Sequence, residues 1–442
     1  MTSVSAPARA ERIELLRLAA PLAAQQVGFQ LMGMVDALVL GRYSGAALAG
    51  AGVGNNLLFA ITSIGLGIVM GMDTVVPQAL GAGRPGDARR ACSAGVRLAV
   101  VVGLVATALV MVSPVVLDLA GVEPSVAAQA RPYVYVRALG SVPFLITIAL
   151  RCYLAAHGRT RPLIVAMLAG NAVNAVLDVA LVFGIAPLHV PALGVIGAAT
   201  STTIVQVVTA AIFAYAARAI DSDEPRPIAT RADISAIVRF GGPVGAQIFA
   251  EVGIFGIATI AAGRLGEVPA AAHSIALNLA SFTFSAAFGL ASATSVRVGH
   301  AVGAGDLALA RRRGAQGLAF ALAIMACAAA TFVVLPRVLA AAFTSDRDVI
   351  AATVPLLQIA ALFQLSDGAQ AIGAGALRGL GHTRATFVGN VIGHYAIGLP
   401  IMLGLGFGLA LGAPGLWWGL SAGLTVTAAY LVAQFLAYTR VR

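Results

Sequence analysis

The sequence is poor in charged residues and contains no lysine. Only 10% of its 442 residues are charged, whereas 59% are hydrophobic and the mean hydropathy is +0.92. A soluble globular protein has about 25% charged residues, so these few charges cannot cover a water-facing surface of this size. The composition therefore predicts a protein that lies in a lipid bilayer.

The net charge is +10, and arginine alone supplies the positive charges. Nucleic acid is one class of partner that such a charge could attract, but the arginines are concentrated in short connections between apolar runs. Arginine at one set of ends of membrane spans is the pattern that the positive-inside rule describes. We therefore expect no nucleic-acid partner, and we expect both termini in the cytoplasm.

Cysteine is also scarce, and no known catalytic or nucleotide-binding motif is present. Cys92, Cys152 and Cys327 are odd in number and lack the spacing of metal ligands, so we interpret them as small apolar side chains. The sequence has no Walker A pattern, no H-E-x-x-H motif and no Cys/His cluster. These absences argue against an enzyme and against a cofactor, and an ion gradient is the simplest energy source for a membrane protein of this kind.

What the sequence does contain is a series of long apolar runs. A membrane-spanning helix needs about 20 mostly apolar residues. The runs that meet this length are 15–40, 50–78, 92–118, 132–156, 162–184, 193–217, 235–262, 270–298, 312–342, 352–377, 385–409 and 415–438. They predict an all-α membrane protein of twelve transmembrane helices.

The chain repeats itself at an offset of 222 residues. The matching positions include Pro21 with Pro243, Gln25 with Gln247, Gly41–Arg42 with Gly263–Arg264, Asn56 with Asn278, and GAG at 81–83 with GAG at 303–305. The longest polar connection lies between the matching segments. We therefore predict two pseudo-symmetric six-helix lobes, 1–217 and 235–442, joined by a cytoplasmic linker over 218–234. Parallel repeats of this kind, with a cleft between the lobes, are typical of alternating-access transporters.

Three carboxylates interrupt the predicted spans without an arginine within one helical turn. They are Asp36, Glu251 and Asp367. A charged side chain at the centre of a membrane helix costs about 2.5–3.5 kcal/mol on insertion scales, so it usually has a function. None of the three has an acid at its repeat-related position, although the scaffold around it is duplicated. We therefore interpret them as ion-coupling residues, because a buried carboxylate can exchange a proton, Na⁺ or a cationic substrate.

Further polar residues share helix faces with these acids. In the first half, Asn171, Asn174 and Asp178 share one face of the fifth span, and Gln25 lies three turns before Asp36. In the second half, Gln247 precedes Glu251 by one turn, and Phe363 and Gln370 share the face of Asp367. His394 aligns with Asn171 across the repeat. The amides could equally be hydrogen-bonding contacts between helices. Phe363 could offer its π face to a cation, although packing in the core is the more common role. Asp73 is better explained as a capping or structural residue.

Several segments in order resemble the multidrug and toxic compound extrusion (MATE) family, and in particular its bacterial NorM-like members. They include PLAAQQVGFQLMGMVDALVLGRYSG (21–45), GNAVNAVLDVALVFG (170–184), PVGAQIFAEVGIFG (243–256) and LSDGAQAIGAGALRGLGHTR (365–384). The resemblance covers nearly the whole chain. It implies an antiporter of the bacterial inner membrane that expels cationic amphipathic drugs in exchange for H⁺ or Na⁺. We expect a monomer.

The resemblance also carries over to individual residues. It implies that Asp36, Glu251 and Asp367 are the membrane acids of the family, and that Asn171, Asn174 and Asp178 are its polar cluster in the fifth span. Many NorM-like members have a tyrosine one turn before the tenth-span aspartate, where this chain has Phe363. The missing hydroxyl favours H⁺ as the coupling ion. Binding of Na⁺ at Glu251 and Asp367 stays an open alternative.

Other functions on the same fold compete with this interpretation. A flippase for lipid-linked precursors would favour a cationic cleft, and Arg151 in the fourth span is the residue that fits it. A dedicated exporter of one metabolite is a second alternative. A membrane scaffold or receptor without transport would need large loops or soluble domains, and the predicted loops are short.

Overall fold

The structure is a computed structural model that describes residues 5–184, 191–220 and 228–440, with side chains from residue 11 onward. Residues 221–227 of the predicted linker lie outside the described residues. Every regular element within these ranges is a helix. An apolar chain in a membrane forms helices because lipid cannot hydrogen-bond to the backbone, whereas a helix satisfies its backbone hydrogen bonds internally.

The described residues of the first half of the chain form nine helices. They are α1 (Ser5–Tyr43), α2 (Gly45–Val69), α3 (Met72–Gly81), α4 (Pro85–Val112), α5 (Val115–Leu119), α6 (Pro124–Ala138), α7 (Ser141–Ala156), α8 (Arg161–Phe183) and α9 (Val195–Arg218). Two of them, α6 and α7, meet at an angle of 49°. Together they occupy one predicted span, which is therefore a broken helix.

In the second half, the part of the chain that the structure describes forms eight α-helices and two π-helical segments. The helices are α10 (Arg231–Arg264), α11 (Glu267–Gly303), α12 (Leu307–Val334), α13 (Pro336–Ala341), α14 (Arg347–Leu380), α15 (Thr383–Asn390), α16 (Leu399–Leu403) and α17 (Gly412–Tyr438). The π-helical segments, Val391–Gly398 and Gly404–Gly408, lie on either side of α16. Wider helical turns of this kind occur often at functional sites.

The described helices agree with the predicted twelve spans. Ten helical stretches are long and apolar enough to cross a membrane, counting Gly45–Gly81 and Thr383–Gly408 as one stretch each. The bent pair α6–α7 raises the number to eleven. The remaining predicted span, 15–40, lies within the continuous helix α1. The prediction of an all-α, multi-pass membrane protein is therefore confirmed.

The helices pack into two compact units. The C-terminal unit contains the residues up to Ala23, the segment Pro77–Gly83 and the residues from Ala246 onward. The N-terminal unit contains Ala24–Val76 and Arg84–Gly245. Helices α1 and α10 each contribute residues to both units. The predicted halves, 1–217 and 235–442, were defined by the sequence repeat and stay a prediction.

Small residues let the helices of each unit approach closely. In the C-terminal unit, a Cβ atom at Gly368 would lie 2.6 Å from the Met325 side chain, and one at Gly375 would collide with the Ala291 carbonyl oxygen. In the N-terminal unit, a Cβ atom at Gly197 would lie 2.6 Å from the Leu181 backbone. Close backbone approach is the usual basis of helix association in membranes. It accounts for the small residues around Asp367 in SDGAQAIGAG.

An ion-pair network ties the start of α1 to the rest of the C-terminal unit. Glu11 accepts hydrogen bonds from Arg313 at 3.1 Å through each carboxylate oxygen, and it also contacts Arg297. Burial raises the pKa of the Glu11 carboxyl, but the hydrogen bond from Arg313 and the charges of Arg297, Arg313 and Arg312 outweigh it, so the net pKa lies below 4.5. This acid is therefore a charged structural contact.

Candidate ion-coupling site

Two acids of the N-terminal unit, Asp36 and Asp178, form what we name the N-terminal acid pair. Asp36 on α1 accepts a hydrogen bond from Asn174 Nδ2 at 2.9 Å through Oδ1, and one from Thr202 Oγ1 at 2.9 Å through Oδ2. Each oxygen of this half-buried carboxylate therefore has one neutral donor, from α8 and α9 respectively. Hydrogen bonds to an ionised group are the stronger ones, about 1.5–3 kcal/mol.

Asp178 follows Asn174 by one helical turn on α8, so the two side chains share a face. Asp178 is completely buried, and it interacts with Asp36, Asn174 and Ser201. Ser201 Oγ also joins α9 to α8, because it contacts the amide nitrogen and the carbonyl oxygen of Asn174, each at 3.2 Å. The predicted grouping of Asp36, Asn174 and Asp178 is thus present as a geometric cluster.

The two other predicted residues of this half lie along the same helix faces but outside the acid pair. Gln25 on α1 and Asn171 on α8 line a small cleft together with Phe29, Met32 and Thr209. The Asn171 amide donates to the Met167 carbonyl at 2.9 Å, within its own helix. The cleft is lined mainly by apolar side chains with a few amides.

Glu251 and Asp367 form what we name the C-terminal acid pair. The Gln370 amide nitrogen donates to Glu251 Oε1 at 3.2 Å, and the charges of Glu251 and Asp367 interact. Gln247 also interacts with Glu251 from one turn earlier on α10. Asp367, Gln370 and Gln247 are all buried, with exposed fractions of 5% or less.

This second pair has an oxygen-rich surrounding. The Oε1 atoms of Gln247 and Gln370 are buried without a hydrogen-bond partner. Two carboxylates with two free amide oxygens are the kind of donors that a hard cation accepts. Within the described ranges, no three His, Cys, Asp or Glu side chains gather as a transition metal would require. The donor set therefore fits a proton or Na⁺.

The predicted supporting residues Phe363 and His394 lie in the aromatic core beside this pair. The Phe363 ring meets the rings of Phe255 and Trp417 edge to face, at centroid distances of 6.2 and 5.7 Å. His394 lies in the first π-helical segment, 6.4 Å from the Phe255 ring, and both of its ring nitrogens are buried without a hydrogen bond. Phe363 is only 2% exposed, so its present contacts are those of core packing.

Arg151, the residue that suited a flippase, does not lie on a cationic surface. It is 5% exposed, and the neighbouring Cys152 thiol interacts with both Asp73 and Arg151. Asp73 and Arg151 therefore belong to one buried cluster that includes an acid. A site for phosphate would instead need a cationic surface facing a cleft.

Some residues of the site were missing from the sequence-based prediction. Ser201 and Thr202 bind the N-terminal acid pair, and Tyr133 on α6 interacts with the charges of both of its acids. The hydroxyl of Tyr395 donates to the Ala250 carbonyl at 2.7 Å, next to Glu251. The run STT at 201–203 in an apolar span was an available signal, whereas nothing in the sequence relates Tyr133 to Asp36.

Known proteins resemble this chain along almost its whole length. The MatE family profile matches residues 21–180 and 243–403. The chain belongs to the MatE family. A probable multidrug resistance protein NorM from Deinococcus radiodurans is 35% identical over 100% of this chain and 99% of its own length. A probable NorM of Pseudomonas putida is 34% identical over 95% of this chain and 93% of its own length.

Solved structures of MatE family members have the same fold. The eukaryotic MATE transporter AtDTX14 gives a TM-score of 0.88 at 21% identity, over 96% of this chain and 95% of that chain. An outward-facing multidrug resistance MATE family transporter gives 0.87 at 19% identity, over 98% and 97%. The resemblance predicted from the sequence motifs is thus confirmed, and with it the expectation that this MatE protein is not an enzyme.

Proposed function

We propose that this protein exports cationic amphipathic compounds in exchange for H⁺ or Na⁺. The observation that carries the proposal is that each unit holds a pair of acids, one half-buried and one buried, whose printed hydrogen bonds come from neutral groups. Asp36 accepts from Asn174 and Thr202, and Glu251 accepts from Gln370. A structural acid would be neutralised by arginine, as Glu11 is. An acid with neutral donors keeps its charge available for a mobile cation.

The two pairs support different cations. The C-terminal pair offers carboxylates and free amide oxygens, which suits Na⁺ as well as a proton. In the N-terminal pair, Asn174 and Thr202 already occupy both oxygens of Asp36. Since two neighbouring carboxylates oppose simultaneous ionisation, we infer that this pair exchanges protons.

Antiport follows from competition at the acids. A cationic drug and the coupling cation cannot both neutralise the same carboxylates, so binding of one favours release of the other. Occupancy also changes the cost of exposing the acids to either side, which biases the equilibrium between inward-facing and outward-facing states. The drug would use the apolar cleft lined by Gln25, Phe29, Met32 and Asn171.

The rest of the assignment follows the family. The relatives are named as multidrug resistance proteins, which supports drugs as substrates. We infer a monomer in the bacterial inner membrane with both termini in the cytoplasm, since arginine is concentrated at one set of helix ends. The two halves, 1–217 and 235–442, would be the bodies that alternate.

Transport into liposomes tests the proposal directly. Purified protein would be reconstituted and the uptake of a fluorescent cationic drug followed under an imposed pH gradient, and separately under an imposed Na⁺ gradient. The variant is Asp367→Asn, which keeps the shape of the side chain and removes the charge. We expect gradient-driven uptake by the wild type and uptake at the level of empty liposomes for the variant.

A matched control is an acid outside the proposed sites. Asp118 is 62% exposed and pairs with Arg131 at the surface, so Asp118→Asn should transport as the wild type does. Uptake under the pH gradient alone supports H⁺, and uptake under the Na⁺ gradient alone supports Na⁺ at the C-terminal pair. Absence of uptake under both gradients, or full activity of Asp367→Asn, would contradict the proposal.

A further inference from the structure

A buried arginine lies beside the N-terminal acid pair. Arg137, in the last turn of α6, is 6% exposed, and its Nε and Nη1 atoms are buried without a hydrogen-bond partner. A guanidinium cannot lose its proton in a protein. A buried cation without full pairing costs several kcal/mol, so it needs an anion within reach.

Tyr133 connects this cation to the acids. It precedes Arg137 by one turn, and its phenol interacts with the guanidinium and with the charges of Asp36 and Asp178. The Tyr133 ring packs in one apolar cluster with Val39, Val182 and Ala198. Those side chains belong to α1, α8 and α9, the same three helices that supply the acid pair and its donors.

Hydroxyl groups hold the end of α6 in this position. Thr203 Oγ1 contacts the Val136 carbonyl at 3.4 Å, and Thr203 directly follows Thr202, the donor to Asp36. On the other side, Thr107 Oγ1 donates to the Ala138 carbonyl at 3.0 Å. The backbone on both sides of Arg137 is therefore fixed, while two of the nitrogens of its side chain remain unbonded.

We propose that Arg137 is a tethered counter-cation of the N-terminal acid pair, which it neutralises whenever no proton or cationic substrate is bound there. Its unbonded N–H groups are the donors available for this role. The bend between α6 and α7, at Leu139 and Gly140, lies directly after it, so any change of partner is made by the side chain. The inference rests on the proposed function, because it assumes that the pair exchanges external cations.

The surrounding charges favour this assignment. Tyr133 and Arg137 are the buried titratable or charged residues of α6, and α2, which also packs on α6, has none in the described chain. The ionisable residues of α9 are confined to its last turns, at Tyr215 and Arg218, and those of α4 lie at or before Arg97. Asp118, which pairs with Arg131, lies outside this cluster. Of the arginines on α2, α4, α6 and α9 in the described chain, Arg137 is the one that is buried.

A tethered cation competes with the substrate, and this predicts a split between binding and turnover. Without the guanidinium, an external cation binds the pair more tightly, because its internal competitor is gone. Release then becomes slower for the same reason. We expect Arg137→Met to bind tetraphenylphosphonium about three- to tenfold more tightly, within the range of coupling between neighbouring groups, and to show a lower kcat for drug transport.

The experiment combines calorimetric binding of tetraphenylphosphonium to the purified full-length protein with transport in liposomes. Arg137→Lys keeps a positive charge and should restore most of the wild-type binding and turnover. Arg131→Gln, an exposed arginine on the same helix, should leave both unchanged. Tyr133→Phe removes the hydroxyl group of the connecting phenol. It should tighten binding as Arg137→Met does, but by a smaller factor. This variant provides a second test if Arg137→Met does not fold.

The outcomes separate this inference from the proposed function. Wild-type transport together with unchanged or weaker binding by Arg137→Met overturns the role of Arg137 alone. Equal loss of transport in Arg137→Lys and Arg137→Met, without tighter binding, indicates a structural arginine and also overturns it. A wild type that neither binds nor transports the cation overturns the proposed function and this inference together.

Discussion

The two units of this MatE protein each bury a pair of acids, but they build it in different ways. The N-terminal pair, Asp36 and Asp178, has hydrogen-bond donors on both oxygens of Asp36 and an arginine within reach through Tyr133. The C-terminal pair, Glu251 and Asp367, has one amide donor at 3.2 Å and free amide oxygens around it. Both oxygens of Asp36 are thus hydrogen-bonded, while both oxygens of Asp178 are buried without a hydrogen-bond partner.

The difference shows that the duplicated scaffold does not dictate the chemistry. The repeat places Ala258 opposite Asp36, Phe29 opposite Glu251, and Leu145 opposite Asp367. Each pair therefore combines one of the two repeat-related helices, α1 or α10, with a second helix that the repeat does not relate, α8 in one unit and α14 in the other. A third acid, Glu11, has arginine partners instead of amides, and it provides the contrast of a structural acid within the C-terminal unit.

The largest expected effect comes from removing one charge of the N-terminal pair. Asp36→Asn keeps the size of the side chain but cannot exchange a cation. We therefore expect drug uptake under a pH gradient to fall to the level of empty liposomes, while the melting temperature changes little. Full activity of Asp36→Asn would mean that the C-terminal pair alone couples transport and that the N-terminal pair has no coupling role.

The next effect concerns stability rather than coupling. Glu11→Gln removes the anion that contacts the buried guanidinium of Arg297 and also pairs with Arg313, and breaking a buried ion pair costs about 3–5 kcal/mol. Glu14→Gln is the control, since Glu14 is 65% exposed and only 3.6 Å from Arg297, and a surface pair contributes about 0–1 kcal/mol. Thermal unfolding in detergent measures both, and equal melting temperatures would contradict the structural role of Glu11.

The sign of the pH effect also distinguishes this acid. The pKa of Glu11 is lower in the folded protein than in the unfolded chain, so its stabilisation is present above the ordinary value of 4.5 and is lost as the pH falls through the lowered pKa. The wild type should therefore lose its advantage in melting temperature over Glu11→Gln in strongly acidic buffer. An advantage that stays constant with pH would show that the carboxylate charge is not its source.

The smallest effect compares the two amide donors. Asn174→Ala removes a 2.9 Å hydrogen bond to Asp36, and Gln370→Ala removes a 3.2 Å hydrogen bond to Glu251. A hydrogen bond to a charged group contributes about 1.5–3 kcal/mol, which is roughly ten- to hundredfold in rate if it positions the acid for transport. We expect the larger loss of drug uptake for Asn174→Ala, because Gln247 can still support Glu251. The opposite order would reverse our ranking of the two sites.

Much of the site could be predicted because helical periodicity is local. Asn174 and Asp178 share a face by spacing alone, as do Asp367 and Gln370, and the structure places each pair in one cluster. The same reasoning related Gln25 to Asp36, yet only Asp36 joins the acid pair while Gln25 lines the cleft. Eleven residues of separation turn the two side chains in the same direction but leave them about 16 Å apart along the helix, so one cluster cannot contain both.

The sequence by itself determined the membrane location, the helices and the acids that they bury, because hydropathy and period depend on neighbouring residues in the chain. Only the tertiary structure decided which acids meet, that Thr202 and Ser201 complete the N-terminal pair, and that Tyr133 connects Arg137 to it. The two hydrogen bonds among these contacts join residues 27 and 166 positions apart. They depend on how small residues let the helices pack, and no local pattern records that packing.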